Sequence, residues 1–142
     1  MIETDNALSG MPPHWFVAFY NDEQRYWWSG LCRDGFRHVA AFGYCADQAA
    51  WLLYDVTTRR TLIRMLTPSQ MDAWVEALPD NRRIVAFEPV GEPVEPGVRI
   101  GFWCTPAVAH LVGARSRALR PEAFYRDLIA QGARPAFESR QA

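Results

Sequence analysis

Hydrophobic and polar positions along the chain fall into short blocks whose spacing predicts alternating strands and helices. "HWFVAFY" (14–20) is dense in aromatic and β-branched residues and reads as a buried strand, broken by "NDEQ". "RYWWSGLC" (25–32) fits either a short helix or an irregular aromatic segment, and "RDG" signals a turn. "FRHVAAFGY" (36–44) and "AAWLLYDV" (49–56) are two strand-like runs whose separation suggests a hairpin, and "RTLIRML" (60–66) adds a third antiparallel strand. "TPSQMDAWVEALPD" (67–80) carries helix signals. Thr67 is the cap, Pro68 opens the first turn, and Gln70 completes a capping box. Met71, Trp74, Val75 and Leu78 share one face of that helix.

"RRIVAFEPV" (82–90) reads as a strand, "GEPVEPG" (91–97) as a stiff loop and "VRIGFW" (98–103) as a further strand. Two helices follow. One runs from Pro106 to about Val112 and stops at Gly113. The other runs from Pro121 to about Gln131, with Phe124, Tyr125, Leu128 and Ile129 on one face. This order predicts an α+β domain: an antiparallel sheet with flanking helices. Residues 1–13 read as a flexible lead-in, 14–134 as one domain and 135–142 as a flexible tail. Trp15, Phe16, Phe19, Tyr20, Tyr26, Trp27 and Trp28 are expected in the core.

Composition narrows the class. The chain has 142 residues, 49% of them hydrophobic, enough to bury a sizeable core in one domain. Its net charge is −1, and all 15 basic residues are arginines scattered along the chain. They form no basic stripe, so no nucleic-acid partner is expected. No apolar run reaches the ~20 residues of a membrane span, and "MIETDNALSGMPP" lacks a signal pattern, so a cytoplasmic location and no membrane partner are expected. Cys32, Cys45 and Cys104 lack zinc-site spacing, and Cys32, His38, Cys45 and Cys104 make an unfamiliar metal set. Reduced thiols, with no metal and no cofactor, are the expectation.

Candidate chemistry centres on "VRIGFWCTPAVAHLVG" (98–113), where a strand ends on Cys104 just before a helix. With Thr105 as cap and Pro106 at the first helical position, unpaired N–H groups would favour a thiolate and could cradle an oxyanion. Such a thiolate needs a base and an orienter. His14 lies at the edge of the lead-in, and His110 is turned away along the short helix. His38 opens a strand. A two-residue turn at Ala46-Asp47 would set His38 opposite Asp55, Ala40 opposite Leu53 and Phe42 opposite Trp51. A one-residue change in turn length would move Asp55 to the other face. Cys104 as a packed thiol, His38 as a satisfied core histidine and Asp55 as a turn-former are the alternative reading.

"GFRH" with its strand, then "WLLYD", then a late Cys heading a short helix that closes on Gly113, resembles the circularly permuted papain-like thiol hydrolases, the NlpC/P60-related group. It is similar, more narrowly, to short phage and prophage proteins with a following "LRPEAFYRDL"-type helix (119–128). The resemblance covers about residues 34 to 129. It departs at Arg120, where a hydroxyl residue is usual, and at Trp103 and Pro106 beside the cysteine. It implies a permuted papain-like fold in which Cys104 is the nucleophile, His38 the general base and Asp55 an orienter. The activity implied is a thiol-dependent hydrolase, a cysteine peptidase or amidase, acting on a peptide or amide substrate such as cell-wall peptide. The alternative is a non-catalytic phage assembly or tail-associated protein, virion-associated and partnered by phage structural proteins, with Trp103 blocking the site.

Overall fold

The computed structural model describes Pro12 and residues 14–21, 36–57, 59–88 and 103–137. The expected strand at 98–103 lies outside them up to Trp103, as do the aromatic segment 25–32, the loop 91–97 and Cys32. Among the described residues, six antiparallel strands form one sheet in the order β4-β3-β2-β1-β5-β6. They are β1 (Trp15–Tyr20), β2 (His38–Cys45), β3 (Ala50–Val56), β4 (Thr61–Leu66), β5 (Arg83–Phe87) and β6 (Arg134–Ala136). Three helices among the described residues flank them: α1 (Pro68–Ala77), α2 (Cys104–Val112) and α3 (Pro121–Ala130). The architecture is α+β, as the pattern predicts. The tail expected to be loose from 135 instead begins with β6, which pairs Ile84 with Ala136 and Ala86 with Arg134.

Two-residue periodicity divides the apolar side chains between two faces of the sheet. Trp15, Val17 and Phe19 of β1, Val39 and Ala41 of β2, and Val85 and Phe87 of β5 pack with Cys104, Val108, Val112, Phe124 and Leu128. Ala18, Tyr20, Ala40, Phe42, Leu53 and Ile84 face the other way, against Met71, Val75 and Leu78. The central strands thus have apolar residues on both sides, which explains their near-continuous hydrophobic runs. Of the aromatic cluster, Trp15, Phe19 and Tyr20 are buried and Phe16 is half-buried. Phe19, Phe42, Phe87 and Phe124 are almost fully buried, each contributing about 1.5–3 kcal/mol of hydrophobic stabilisation. Ile129 departs from its expected place: it is 40% exposed, on the rim of α3.

The hairpin between β2 and β3 departs from the expected register. Its loop has four residues, a 3-10 turn at Ala46–Gln48 followed by Ala49 in the left-handed region at φ 48°. Phe42 therefore pairs with Leu53 and Tyr44 with Trp51. The shift is two residues, an even number, so every side chain keeps its predicted face. Asp55 stays on the His38 side but becomes its diagonal neighbour.

Helix α1 begins as its signals require. Gln70 N–H donates to Thr67 Oγ1 at 3.2 Å, and Thr67 N–H donates to Gln70 Oε1 at 2.9 Å. Thr67→Ala removes the hydroxyl half of this box. The expected cost is about 1 kcal/mol, read as a melting temperature lower by about 2–4 °C. An unchanged melting temperature would show that tertiary packing alone sets the start of α1.

Candidate active site

Cys104, His38 and Asp55 come from α2, β2 and β3, and the structure brings all three together where β2 and β3 part. Their ladder runs from Cys45–Ala50 to Ala41–Tyr54 and stops there. His38, Val39 and Ala40 remain paired to β1, through Tyr20, Phe19 and Ala18. The fork beyond Ala41 leaves backbone and side chains of β2 open toward the start of α2. His38 approaches from the α1 side of the sheet and Cys104 from the opposite side.

Asp55 reaches across the diagonal. Its Oδ1 accepts a hydrogen bond from His38 Nε2 at 2.6 Å, a short distance typical of charge-assisted pairs. Diagonal neighbours lie within reach of long side chains, so the altered register does not break the contact. With Nε2 engaged, Nδ1 is the nitrogen left for the thiol. The ring of Tyr20 meets the imidazole edge to face, with centroids 5.2 Å apart, and fixes its plane from the β1 side. Just upstream, Arg37 N–H donates to Asn21 Oδ1 at 3.1 Å and Phe36 N–H to Glu122 Oε2 at 3.3 Å. The strand entry that carries His38 is thereby fastened to the end of β1 and to the first turn of α3.

Cys104 is itself the first residue of α2, and the capping position belongs to Trp103. The expectation of Thr105 as cap is therefore corrected: Thr105 lies inside the first turn, fully buried. Trp103 is extended at φ −95°, ψ 179°, and caps with no side-chain bond to the helix. Its indole Nε1–H instead donates to Leu119 O at 2.8 Å, tying the helix start to the link before α3. The ring packs against the core shared with α2 and α3. Ala107 N–H makes the first helical bond, to Trp103 O. Pro106 is tolerated because an N–H at that position would have no intrahelical acceptor. Gly113 ends the helix at φ 71°, a conformation that favours glycine.

The electrostatics favour a charged pair. Burial disfavours the thiolate of Cys104 and is the largest single influence on it. Hydrogen bonding and charge from His38, the Val39 backbone N–H and the Thr105 hydroxyl together outweigh it and bring the pKa below the ordinary 9.0. Burial likewise disfavours protonated His38, yet Asp55 and Cys104 push its pKa up from 6.5 to about 10. His38 is then an imidazolium near neutrality, and its charge favours the thiolate form of Cys104 beside it. Val39 N–H and the Thr105 hydroxyl carry no signal in sequence. The first depends on the fork, and the second on Thr105 lying within the helix.

The other candidates fall elsewhere. His14 pairs with Glu88 at the surface, and His110 is exposed on α2. Cys45 is buried at the far end of β2. Among the described residues, no group of three or more His, Cys, Asp or Glu side chains is placed to hold a metal ion. No helix among them is long and apolar enough to cross a membrane. Compared with protein-family models, curated proteins and solved structures, the chain matches none.

The pair has a defined pH signature. From pH 6.5, or from the lowered thiol pKa where that is higher, up to pH 9.0, folded Cys104–His38 binds one proton, on the imidazolium, and the unfolded pair also binds one, on the thiol. Its contribution to stability is therefore flat across that window. Above 9.0 the unfolded thiol loses its proton, and stability falls as pH rises through about 10. Denaturant unfolding of wild type and Cys104→Ala/His38→Gln at a series of pH values reads this as a difference curve with a plateau. A curve that falls steadily as pH rises from 6.5 to 10 would mean that the thiol pKa is not lowered beside the imidazolium.

Proposed function

We propose that this protein is a thiol-dependent hydrolase of the circularly permuted papain-like kind, cleaving an amide or peptide bond. The observation that carries the reading is the relay Asp55–His38–Cys104, with a 2.6 Å carboxylate–imidazole bond and a thiol whose pKa is lowered by that imidazole. Histidine before cysteine in the chain, on a strand that packs beside the cysteine helix, fits the permuted order.

In the proposed reaction, Cys104 Sγ attacks the carbonyl carbon and the C=O π electrons move to oxygen. The first-turn N–H groups of α2 face the developing charge, Cys104 N–H foremost among them. Imidazolium His38 protonates the leaving nitrogen as the C–N bond breaks, which leaves a thioester and a neutral imidazole. Water then attacks the thioester and gives a proton to His38. The C–S bond breaks, the carboxylic acid departs, and the thiolate–imidazolium pair is restored. Asp55 holds the imidazole ring and stabilises its positive form without itself taking the proton. Bacterial cell-wall peptide is the substrate class that the phage-like resemblance suggests.

A second reading has its own support. Cys104 is 4% exposed and His38 8% exposed, the burial expected of an idle site in a phage assembly or tail-associated protein. Iodoacetamide labelling at pH 6, with peptide mapping, separates the two. A hydrolase labels at Cys104 in preference to Cys32 and Cys45, and His38→Ala abolishes that preference. Turnover of cell-wall peptide fragments should disappear in Cys104→Ala and fall about 10²–10⁴-fold in His38→Ala. Slow, equal labelling of all three thiols would leave the structural reading.

A further inference from the structure

Thr105 lies next to the nucleophile, is fully buried, and places its hydroxyl Oγ1 3.9 Å from Cys104 Sγ. A buried hydroxyl needs a hydrogen-bond partner, and no described buried side-chain N or O atom is left without one. A thiolate has no hydrogen to give, so in the charged pair the hydrogen in this contact belongs to the hydroxyl. The other two groups on the sulfur, the His38 imidazole and the Val39 N–H, belong to β2. Thr105 belongs to α2 and travels with the sulfur.

From this placement we infer that Thr105 is a positioning residue of the proposed hydrolase: its hydroxyl holds the Cys104 thiolate toward the β2–β3 fork and sets its reactivity. The inference rests on the hydrolase reading above and adds a residue to it. A donor on the same helix turn restrains the sulfur whether or not the sheet contacts are momentarily made. It also withdraws electron density from the sulfur, and a thiolate of lower pKa is a weaker nucleophile per ion. The hydroxyl thus trades intrinsic reactivity for a larger thiolate fraction at low pH. A packing role alone predicts no such trade.

The experiment is the pH–rate profile of iodoacetamide alkylation at Cys104, followed by peptide mapping in the full chain. Thr105→Val keeps the branched shape and removes the hydrogen. Its profile should have a higher midpoint and a rate at pH 6 lower by about three-fold or more, with a plateau at high pH equal to or above wild type. Thr105→Ser should return the wild-type profile. Should Thr105→Val not fold, Thr105→Ala provides the same comparison. A valine or alanine profile that overlays wild type overturns the inference. If His38→Ala raises the midpoint in that same series, the hydrolase reading survives it. A wild-type midpoint at the ordinary thiol value of 9.0 overturns the reading itself, and the inference with it.

Discussion

Two charges buried between a sheet and a helix are costly, and the structure around Cys104 and His38 is organised to offset that cost. Burial is the largest influence on each group, and it acts against the charged form of both. What reverses the outcome is a set of specific contacts: Asp55 on one nitrogen, the thiolate beside the imidazole, and the Val39 N–H and Thr105 hydroxyl on the sulfur. Remove the partners and the same burial would leave a neutral thiol and a neutral imidazole. A charged pair here is a property of the assembled fold, because neither residue could hold its charge in this position alone.

The geometry that supplies those contacts comes from an interruption in the sheet. A fully paired β2 and β3 would use the Val39 N–H or the space beside it for strand pairing, closing the approach from α2. Ending the ladder at Ala41–Tyr54 opens a fork in which side chains from opposite faces meet. β1 keeps its pairing to the same stretch of β2, so His38 stays on a rigid strand while one of its sides is free. Sites built on strands and helices hold their geometry better than sites on loops.

Contacts outside the fork hold α2 in place. The Trp103 indole is bonded to Leu119 O. Ser116 Oγ donates to Asp127 Oδ2 at 2.6 Å, and Gln131 binds both the N–H and the carbonyl of Arg115. The link between α2 and α3 is in this way bonded at Arg115 and Ser116 to the C-terminal part of α3 and its cap, and at Leu119 to the residue that caps α2. Glu122 on α3 then reaches the Phe36 N–H at the entry to β2. Cys104 and His38 sit on different elements, and α3 touches the approaches to both. This explains why an irregular link carries so many polar bonds relative to its length.

Much of this was legible in the sequence, where the controlling physics is local. The capping box at Thr67 and Gln70, the glycine stop at 113, the helix headed by Cys104 and the five longer described strands all follow from rules acting over a few residues. So does the shared face of His38 and Asp55, because strand parity survives any even change in loop length. The four-residue turn with Ala49 left-handed was not legible, since no glycine or asparagine marks it. Nor was the pairing of Arg134–Ala136 with β5, which depends on a partner nearly fifty positions earlier in the chain. The fork, the Val39 N–H at the sulfur and the placing of Trp103 as cap belong to tertiary structure. Each depends on where strand pairing ends and where a helix docks, and those are decided by packing between segments far apart in the chain.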